Sequence, residues 1–473
     1  MVQAEIGMVG LGVMGANLAL NIAEKGFTVA GNDRAPEAGI NLQRNAGELA
    51  SRIVPCNTLA ALVAPIRPPR PIILLVPAGE AVDHLIAALR QLLSPGDIII
   101  DSGNANFHDT KRRFAELGGT GLNFIGMGIS GGADGARHGP SMMVGGSEAA
   151  YDRVKTVLNA IAAKYKGEPC CARLGNDGAG HFVKTIHNGI EYADMQMIAE
   201  IYGMLRDGLG LGAKQIGEIF ARWNTGRLNS YLIEITASVL ATDDIKTGRP
   251  LVDVILDRAG QKGTGRWAAI EAQNLGIPAT AIEAAVAVRS LSAMKDERQR
   301  AAAAYGISGV RLSPADSTAF IDQLEFALYG GKIAAYAQGF AVMEQASAEF
   351  NWNLPLATIA RIWRAGCIIR SQFLDEIALA FTGSGGKGNL LLAPPFVAMM
   401  KDVHSSLRLV VAEAARAASP LPALSSALNY FDGYRQAWGS ANLIQAERDF
   451  FGAHGFERVD EQGVHHGPWN RPL

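Results

Sequence analysis

The chain reads as an α/β domain followed by a large all-helical domain and an extended tail. Short apolar runs alternate with amphipathic stretches through the first third, the pattern of βαβ units around a mostly parallel sheet. From about Gly180 strand-like runs become scarce, and stretches rich in Ala, Ile, Leu and Met recur at helical spacing. After about Tyr434 the composition shifts to Gly, Pro, His and aromatic residues. The expected divisions are therefore 1–179, 180–434 and 435–473.

Expected strands are Glu5–Val9, Thr28–Gly31, Pro71–Val76, Asp97–Ile100 and Asn123–Gly126, each followed by the turn-forming residues usual at a strand's end. Expected helices are 180–206, 213–241, 267–273, 283–304, 315–350, 354–381 and 399–419. The tail is too short to build a core, so it is either disordered or packed on another surface.

A length of 473 residues, with 48 % hydrophobic residues, supplies large cores and excludes disordered and collagen-like classes. Lys plus Arg number 43 against 45 Asp plus Glu, a formal charge of −2, so no general field draws the chain to nucleic acid or an anionic membrane. The 4 cysteines form neither a metal-ligand spacing nor a bridge framework; the adjacent Cys170 and Cys171 read as ordinary thiols. Met1 to Gly7 does not resemble a signal peptide, and no apolar run approaches the ~20 residues that span a bilayer. A soluble, cytoplasmic protein without membrane or metal is expected.

Gly10-Leu11-Gly12-Val13-Met14-Gly15 follows the first strand and opens a helix. The first glycine permits the turn, the second lets backbone approach a pyrophosphate, and the third allows close helix–strand packing. In that position the motif marks a Rossmann-type dinucleotide-binding domain. Asp33, 18 residues after Gly15, stands where a carboxylate accepts from the adenosine ribose. It would repel the 2′-phosphate of NADP, whereas Arg34 would pair with it, so the choice between NAD and NADP stays open. The alternative is that Asp33 only caps a turn.

Gly128-Ile129-Ser130-Gly131-Gly132 exposes successive backbone N–H groups and a hydroxyl suited to a carboxylate, although a plain glycine turn reads equally well in isolation. Its interest comes from Lys184-Thr185-Ile186-His187-Asn188-Gly189-Ile190-Glu191. Lys184, His187, Asn188 and Glu191 stand at i, i+3, i+4 and i+7, on one helix face among apolar neighbours. A Lys–Glu surface pair is the bland alternative. Partial burial would lower the pKa of Lys184 and raise that of Glu191, leaving a base and an acid in one cleft.

Gln261-Lys262-Gly263-Thr264-Gly265-Arg266 suits a phosphate. Arg289 lies among apolar helical neighbours, as either an internal salt bridge or a ligand group. Gly383–Gly388 lacks the spacing of a phosphate loop and is rejected. His465 and His466 show no metal spacing.

Taken in order, these segments resemble the decarboxylating 6-phosphogluconate dehydrogenases over nearly the whole chain. The resemblance rests on Gly10–Gly15, Asp101–Asn104, Ile129–Ser141, Lys184–Tyr192, Ile255–Trp267, Arg289 with Leu291-Ser292, Ile368–Ser371, Asn442–Ala446 and Arg448–His454. It implies oxidative decarboxylation of 6-phospho-D-gluconate to D-ribulose 5-phosphate, with Lys184 as general base, Glu191 as acid and no metal. It implies that Asn104, Ser130, Gly131, Gly132, His187 and Asn188 hold the carboxylate and hydroxyls, and that Tyr192, Lys262, Thr264, Arg289 and Arg448 hold the phosphate. Gly10, Gly12, Val13, Met14, Gly15, Asp33, Arg34, Val76 and Asn104 would hold the cofactor. The tail would cross to a second copy in a homodimer, where Arg448 and His454 complete the neighbour's site.

Departures from that pattern are instructive. Asp33-Arg34-Ala35 replaces Asn-Arg followed by a hydroxyl residue, which implies substantial use of NAD, and Pro77 stands where a lysine is common. Gly455 and Phe456 replace a more polar pair. The competing readings are another β-hydroxyacid dehydrogenase, disfavoured by Lys262, Arg289, Arg448 and the long helical half, and a non-catalytic dinucleotide-binding protein, disfavoured by the presence of Lys184 and Glu191.

Overall fold

A computed structural model of the chain describes residues 3–261, 263–306, 309, 311–382 and 388–469. The first domain runs β1 (Ile6–Val9), α1 (Val13–Glu24), β2 (Val29–Asn32), α2 (Glu37–Asn45), β3 (Ile53–Pro55), α3 (Leu59–Val63), β4 (Pro71–Leu74) and α4 (Glu80–Leu89). It continues through β5 (Ile98–Asp101), α5 (Phe107–Leu117), β6 (Asn123–Ser130), α6 (Gly132–His138), β7 (Ser141–Gly145) and α7 (Glu148–Ile161). A small hairpin, β8 (Lys164–Tyr165) and β9 (Glu168–Pro169), precedes β10 (Cys171–Gly175).

The main sheet has the order β10-β7-β6-β5-β4-β1-β2-β3. Its pairings are parallel except β6–β7, which run antiparallel from Gly126 opposite Gly145 to Ser130 opposite Ser141. Near-continuous apolar strands such as Ile98–Asp101 are buried on both faces, as βαβ packing requires. One face packs on α1 and α7 through Leu18, Ile22, Val154 and Leu158; the other packs on α3 and α4 through Leu62, Val82 and Ile86.

The helical domain begins with α8 (Ala179–Gly203), which passes into one turn of π-helix at Met204–Gly208. There follow α9 (Ala213–Trp223), α10 (Tyr231–Ala241), α11 (Leu251–Val254), α12 (Thr264–Asn274), α13 (Thr280–Ala293), α14 (Lys295–Tyr305) and the long α15 (Ser317–Glu349). Next are α16 (Leu356–Ile362), α17 (Leu374–Ala380), α18 (Pro394–Arg416) and α19 (Pro422–Tyr434). Their apolar faces close on one core that also takes in Phe107, Met143 and Leu174 from the first domain. No helix among the described residues is long and apolar enough to cross a membrane.

Three helices expected as continuous are broken. The 213–241 stretch ends its first helix at Trp223, because the Asn224 carboxamide accepts the N–H of Ser230 and the chain turns. The 283–304 stretch divides at Met294, which leaves the helical region. The 354–381 stretch is interrupted at Gly366, whose φ of +67° no regular helix allows, and at Ser371, which bridges Ser230. Strands β3, β7 and β10 and helix α19 were not expected. The tail folds as α20 (Ala441–Gly452) and a hairpin of β11 (Phe456–Glu457) with β12 (Val464–His465), with Leu443, Ile444 and Phe451 left exposed.

Candidate active site

The glycine turn between β1 and α1 is shaped by sterics. Gly10 holds φ at +94°, and a Cβ there would lie 2.5 Å from the Leu75 carbonyl oxygen, so only glycine fits. A Cβ on Gly12 would meet nothing within 4 Å, which leaves its backbone open at the start of α1. Val13 is exposed and Met14 half-buried beside it, and Gly15 is buried against the turn. The Asp33 carboxylate accepts the N–H of Leu11 at 2.7 Å and that of Ala35 at 3.0 Å. Turn capping is thus real, but it also ties the end of β2 to the glycine turn, and each oxygen keeps acceptor capacity. Arg34 and Asn104 are exposed at the same edge of the sheet, and Val76 lies between Gly10 and Gly103. This edge, outside the carboxyl ends of β1 and β4, is where open α/β sheets bind their ligands.

Helix α8 presses directly on β6. A side chain at Gly128 would collide with the stem of Lys184, and one at Gly180 with the carbonyls of Gly126 and Met143. That close approach buries Lys184, His187 and Asn188 and leaves Glu191 with a side chain 19 % exposed. His187 sits at the centre. Its Nε2 is 3.2 Å from Ser130 Oγ; its Nδ1 is 3.1 Å from Asn188 Oδ1, 3.3 Å from Lys184 Nζ and 3.8 Å from Glu191 Oε2. One tautomer serves the first two partners: Nδ1–H donates to Asn188 and Nε2 accepts from the serine hydroxyl. Burial, followed by the neighbouring lysine, holds His187 neutral, well below the ordinary histidine range.

The same burial lowers the Lys184 ammonium from the usual lysine range, opposed by the Glu191 charge. It raises Glu191, opposed by Lys184 and Arg289. An amine and a carboxyl therefore occupy one helix face two turns apart, with titration ranges drawn toward each other.

At the far end, Arg289 Cζ stacks 3.5 Å above the Tyr192 ring, and its Nη1 donates to the Gly260 carbonyl at 3.1 Å. It has no carboxylate within salt-bridge distance among the described residues, so an internal ion pair is not what holds it. Thr264 is buried at the first position of α12, after Gly263 with φ of +92°. Gly265 packs on the Tyr192 ring, joining this helix start to α8. Lys262 lies outside the described residues. Gly131 and Gly132, with φ of +107° and +64°, follow Ser130 and open α6. Arg448 Nη1 donates to Gln445 Oε1 and His454 packs edge-on to Phe451, so among the described residues these contacts of both lie within the tail. Among the described residues no group of three or more His, Cys, Asp or Glu is placed to hold a metal ion.

Several neighbours of the cluster were not singled out from sequence. The Trp363 ring stands edge-on to His187 at 5.5 Å. Cys367 lies near Lys184, its thiol donating to the Trp363 carbonyl and pushed by burial up to about 12. Arg113, 1 % exposed, donates to Asp101, Asp83 and the Gly79 carbonyl, clamping the loops after β4 and β5. Only the Asp101–Asn104 and Ile368–Ser371 runs hinted at these surroundings.

Comparison with known proteins places the chain in a family. Residues 5–175 match the model for the NAD binding domain of 6-phosphogluconate dehydrogenase, and 180–469 match that for its C-terminal domain. Two Bacillus subtilis relatives are each 46 % identical: an NADP(+)-dependent decarboxylating 6-phosphogluconate dehydrogenase, covering 99 % of this chain and 100 % of its own, and an NAD(+)-dependent one, covering 98 % and 99 %. The solved Plasmodium falciparum 6-phosphogluconate dehydrogenase superposes with a TM-score of 0.95 at 41 % identity, over 98 % of this chain and 100 % of that one. The chain belongs to the 6-phosphogluconate dehydrogenase family.

Proposed function

We propose that this chain oxidises 6-phospho-D-gluconate at C3 and decarboxylates the product to D-ribulose 5-phosphate and CO₂, using NAD or NADP. The reading rests above all on Lys184 and Glu191 standing two turns apart on buried α8 with neutral His187 between them, beside Ser130. The Plasmodium structure was determined with NADP+ and with 6-phosphogluconate, and the relatives bear the decarboxylating name with either cofactor.

The open backbone at Gly12, the turn at Gly10 and Gly15, and Val13, Met14, Asp33, Arg34, Val76 and Asn104 at the sheet edge suit a dinucleotide. A bound nicotinamide would supply the acceptor for the hydride of substrate C3. Neutral Lys184 Nζ takes the C3 hydroxyl proton as that hydride leaves. The resulting ammonium donates to the new carbonyl oxygen, stabilising the charge that grows there as CO₂ departs. Lys184 then returns its proton to that oxygen, giving an enediol. Glu191 donates its carboxyl proton to C1 of the enediol while Lys184 removes the proton of the C2 hydroxyl, which yields the ketose. Ser130, Gly131, Gly132, His187 and Asn188 orient the carboxylate and hydroxyls; Tyr192, Lys262, Thr264 and Arg289 hold the phosphate.

Residues 1–179 would serve the cofactor, 180–434 the substrate and the contact with a second copy, and 435–473 that copy's site through Arg448 and His454. The exposed Leu443, Ile444 and Phe451 support a tail that docks on a second copy rather than on its own subunit. Four free, buried thiols suit a reducing compartment such as the cytoplasm. Following reduced-cofactor absorbance with 6-phosphogluconate, separately with NAD and NADP, tests the assignment. Turnover with NAD is expected because Asp33 is acidic, and no turnover with either cofactor would refute it.

A further inference from the structure

The tail carries a buried charge that the proposed reaction does not use. Most of α20 is open to solvent, with Leu443, Ile444, Phe450 and Phe451 all exposed, yet the side chain of Asp449 is only 1 % exposed. One of its oxygens accepts the N–H of Gly455 at 2.9 Å and lies 2.6 Å from His466 Nδ1. The other accepts the N–H of Gly467 at 2.9 Å and the indole N–H of Trp469 at 2.6 Å. Its main-chain carbonyl accepts the N–H of Ala453, where α20 stops in a left-handed turn. The Gly467 N–H, with the other donors, holds this carboxyl well below the usual carboxylate range.

One carboxylate thus gathers the end of α20, the turn at Gly455 and the segment leaving β12. A segment this small cannot fold on apolar burial alone and needs a staple, and a charged acceptor enclosed by donors is a strong one. The stapled region contains two of the residues assigned to the substrate. Arg448 is Asp449's neighbour on α20, and His454 lies between two residues bonded to it, Ala453 and Gly455. Left loose, such a chain would lose backbone entropy with every residue ordered on binding.

We infer that Asp449 is a positioning residue whose carboxylate folds residues 441–469 into a preformed unit, presenting Arg448 and His454 in one arrangement to the substrate of a second copy. The inference rests on the tail's proposed role in substrate binding.

The test compares the full-length enzyme, Asp449→Asn, Trp469→Phe and a chain ending at Tyr434, measuring kcat and KM for 6-phosphogluconate, KM for the cofactor and oligomeric state. Asp449→Asn is expected to raise KM for 6-phosphogluconate about tenfold or more, with kcat within about threefold. Cofactor KM and oligomeric state should stay as in the parent. Trp469→Phe, which removes one donor, should give a smaller rise in the same parameter. If the shortened chain keeps the parent KM, the tail does not serve the site and the underlying reading falls. If shortening raises KM while Asp449→Asn and Trp469→Phe match the parent, the positioning role alone falls. Dissociation of the Asp449→Asn enzyme, or an equal rise in cofactor KM, would also overturn that role, since a structural defect explains both.

Discussion

The contact between Gly128 and Lys184 offers a sharp test of how tightly the amine must be held. A methyl on Gly128 would sit 2.9 Å from Lys184 Cγ and closer still to its Cβ, at least about 0.5 Å inside ordinary van der Waals contact. The lysine cannot swing clear, because its stem is clasped between α8 and β6 and its Nζ lies within the His187 cluster. Relief must come from sliding α8 along β6, which moves Nζ relative to Ser130 on the same strand. Overpacking of this kind costs about 1–3 kcal/mol. Misplacing a reacting group by about 1 Å costs roughly a hundredfold in rate, or about 2.7 kcal/mol of barrier. Gly128→Ala is therefore expected to lower kcat by about ten- to a hundredfold while the melting temperature falls by a few degrees. Gly331→Ala, which crowds Met197 on the same helix at 2.9 Å and Leu424 at 2.7 Å, supplies the control: a similar stability loss with kcat within about threefold. Reduced-cofactor absorbance at saturating substrates, with thermal unfolding of both variants, decides the matter. A Gly128→Ala enzyme as fast as Gly331→Ala would show that the position of the lysine stem is not rate-critical.

Other expectations concern charge. In the proposed mechanism Lys184 starts neutral and Glu191 protonated, so activity should rise with pH as Lys184 loses its proton and fall as Glu191 does, both displaced from their ordinary ranges by burial. Glu191→Gln should abolish the alkaline fall as well as lower the rate, and a fall that persists would reassign the acid. Arg113→Lys, which keeps the charge but not the fork joining Asp101, Asp83 and Gly79, should raise cofactor KM about tenfold, and unchanged cofactor kinetics would remove Arg113 from the cofactor edge. Burial pushes Glu200 up to about 7, although it accepts the N–H groups of Ala423 and Leu424. Because the folded value is raised, its stabilisation is present below the unfolded value near 4.5 and lost as pH climbs through about 7, roughly 3 kcal/mol in all. Thermal unfolding of Glu200→Gln should therefore gain on the parent between acidic and mildly alkaline pH, and a constant difference would show that Glu200 does not titrate in that range.

Where a signal is local, it was readable from residue order alone. The glycine turn after β1 depends on sterics within a few residues, and the shared face of Lys184, His187, Asn188 and Glu191 follows from the pitch of one helix. The alternation of strands and helices, and its end near Gly180, likewise announced an α/β domain and a helical one. Folding alone decided the contacts that join distant segments. Trp363 meets His187, Ser141 donates to the Ile362 carbonyl across 221 positions, and Lys332 reaches Asp194 across 138, none of them marked by spacing. The breaks at Asn224 and Gly366 arise because the chain must return to Ser230 and pass beneath Gly131, a demand helical periodicity cannot express. The same holds for Asp449: its sequence neighbours give no sign of burial, because His466, Gly467 and Trp469, which meet its carboxylate, lie at least 17 positions away. Periodicity records which face of an element is apolar, whereas the identity of what covers that face is set only when the whole chain closes.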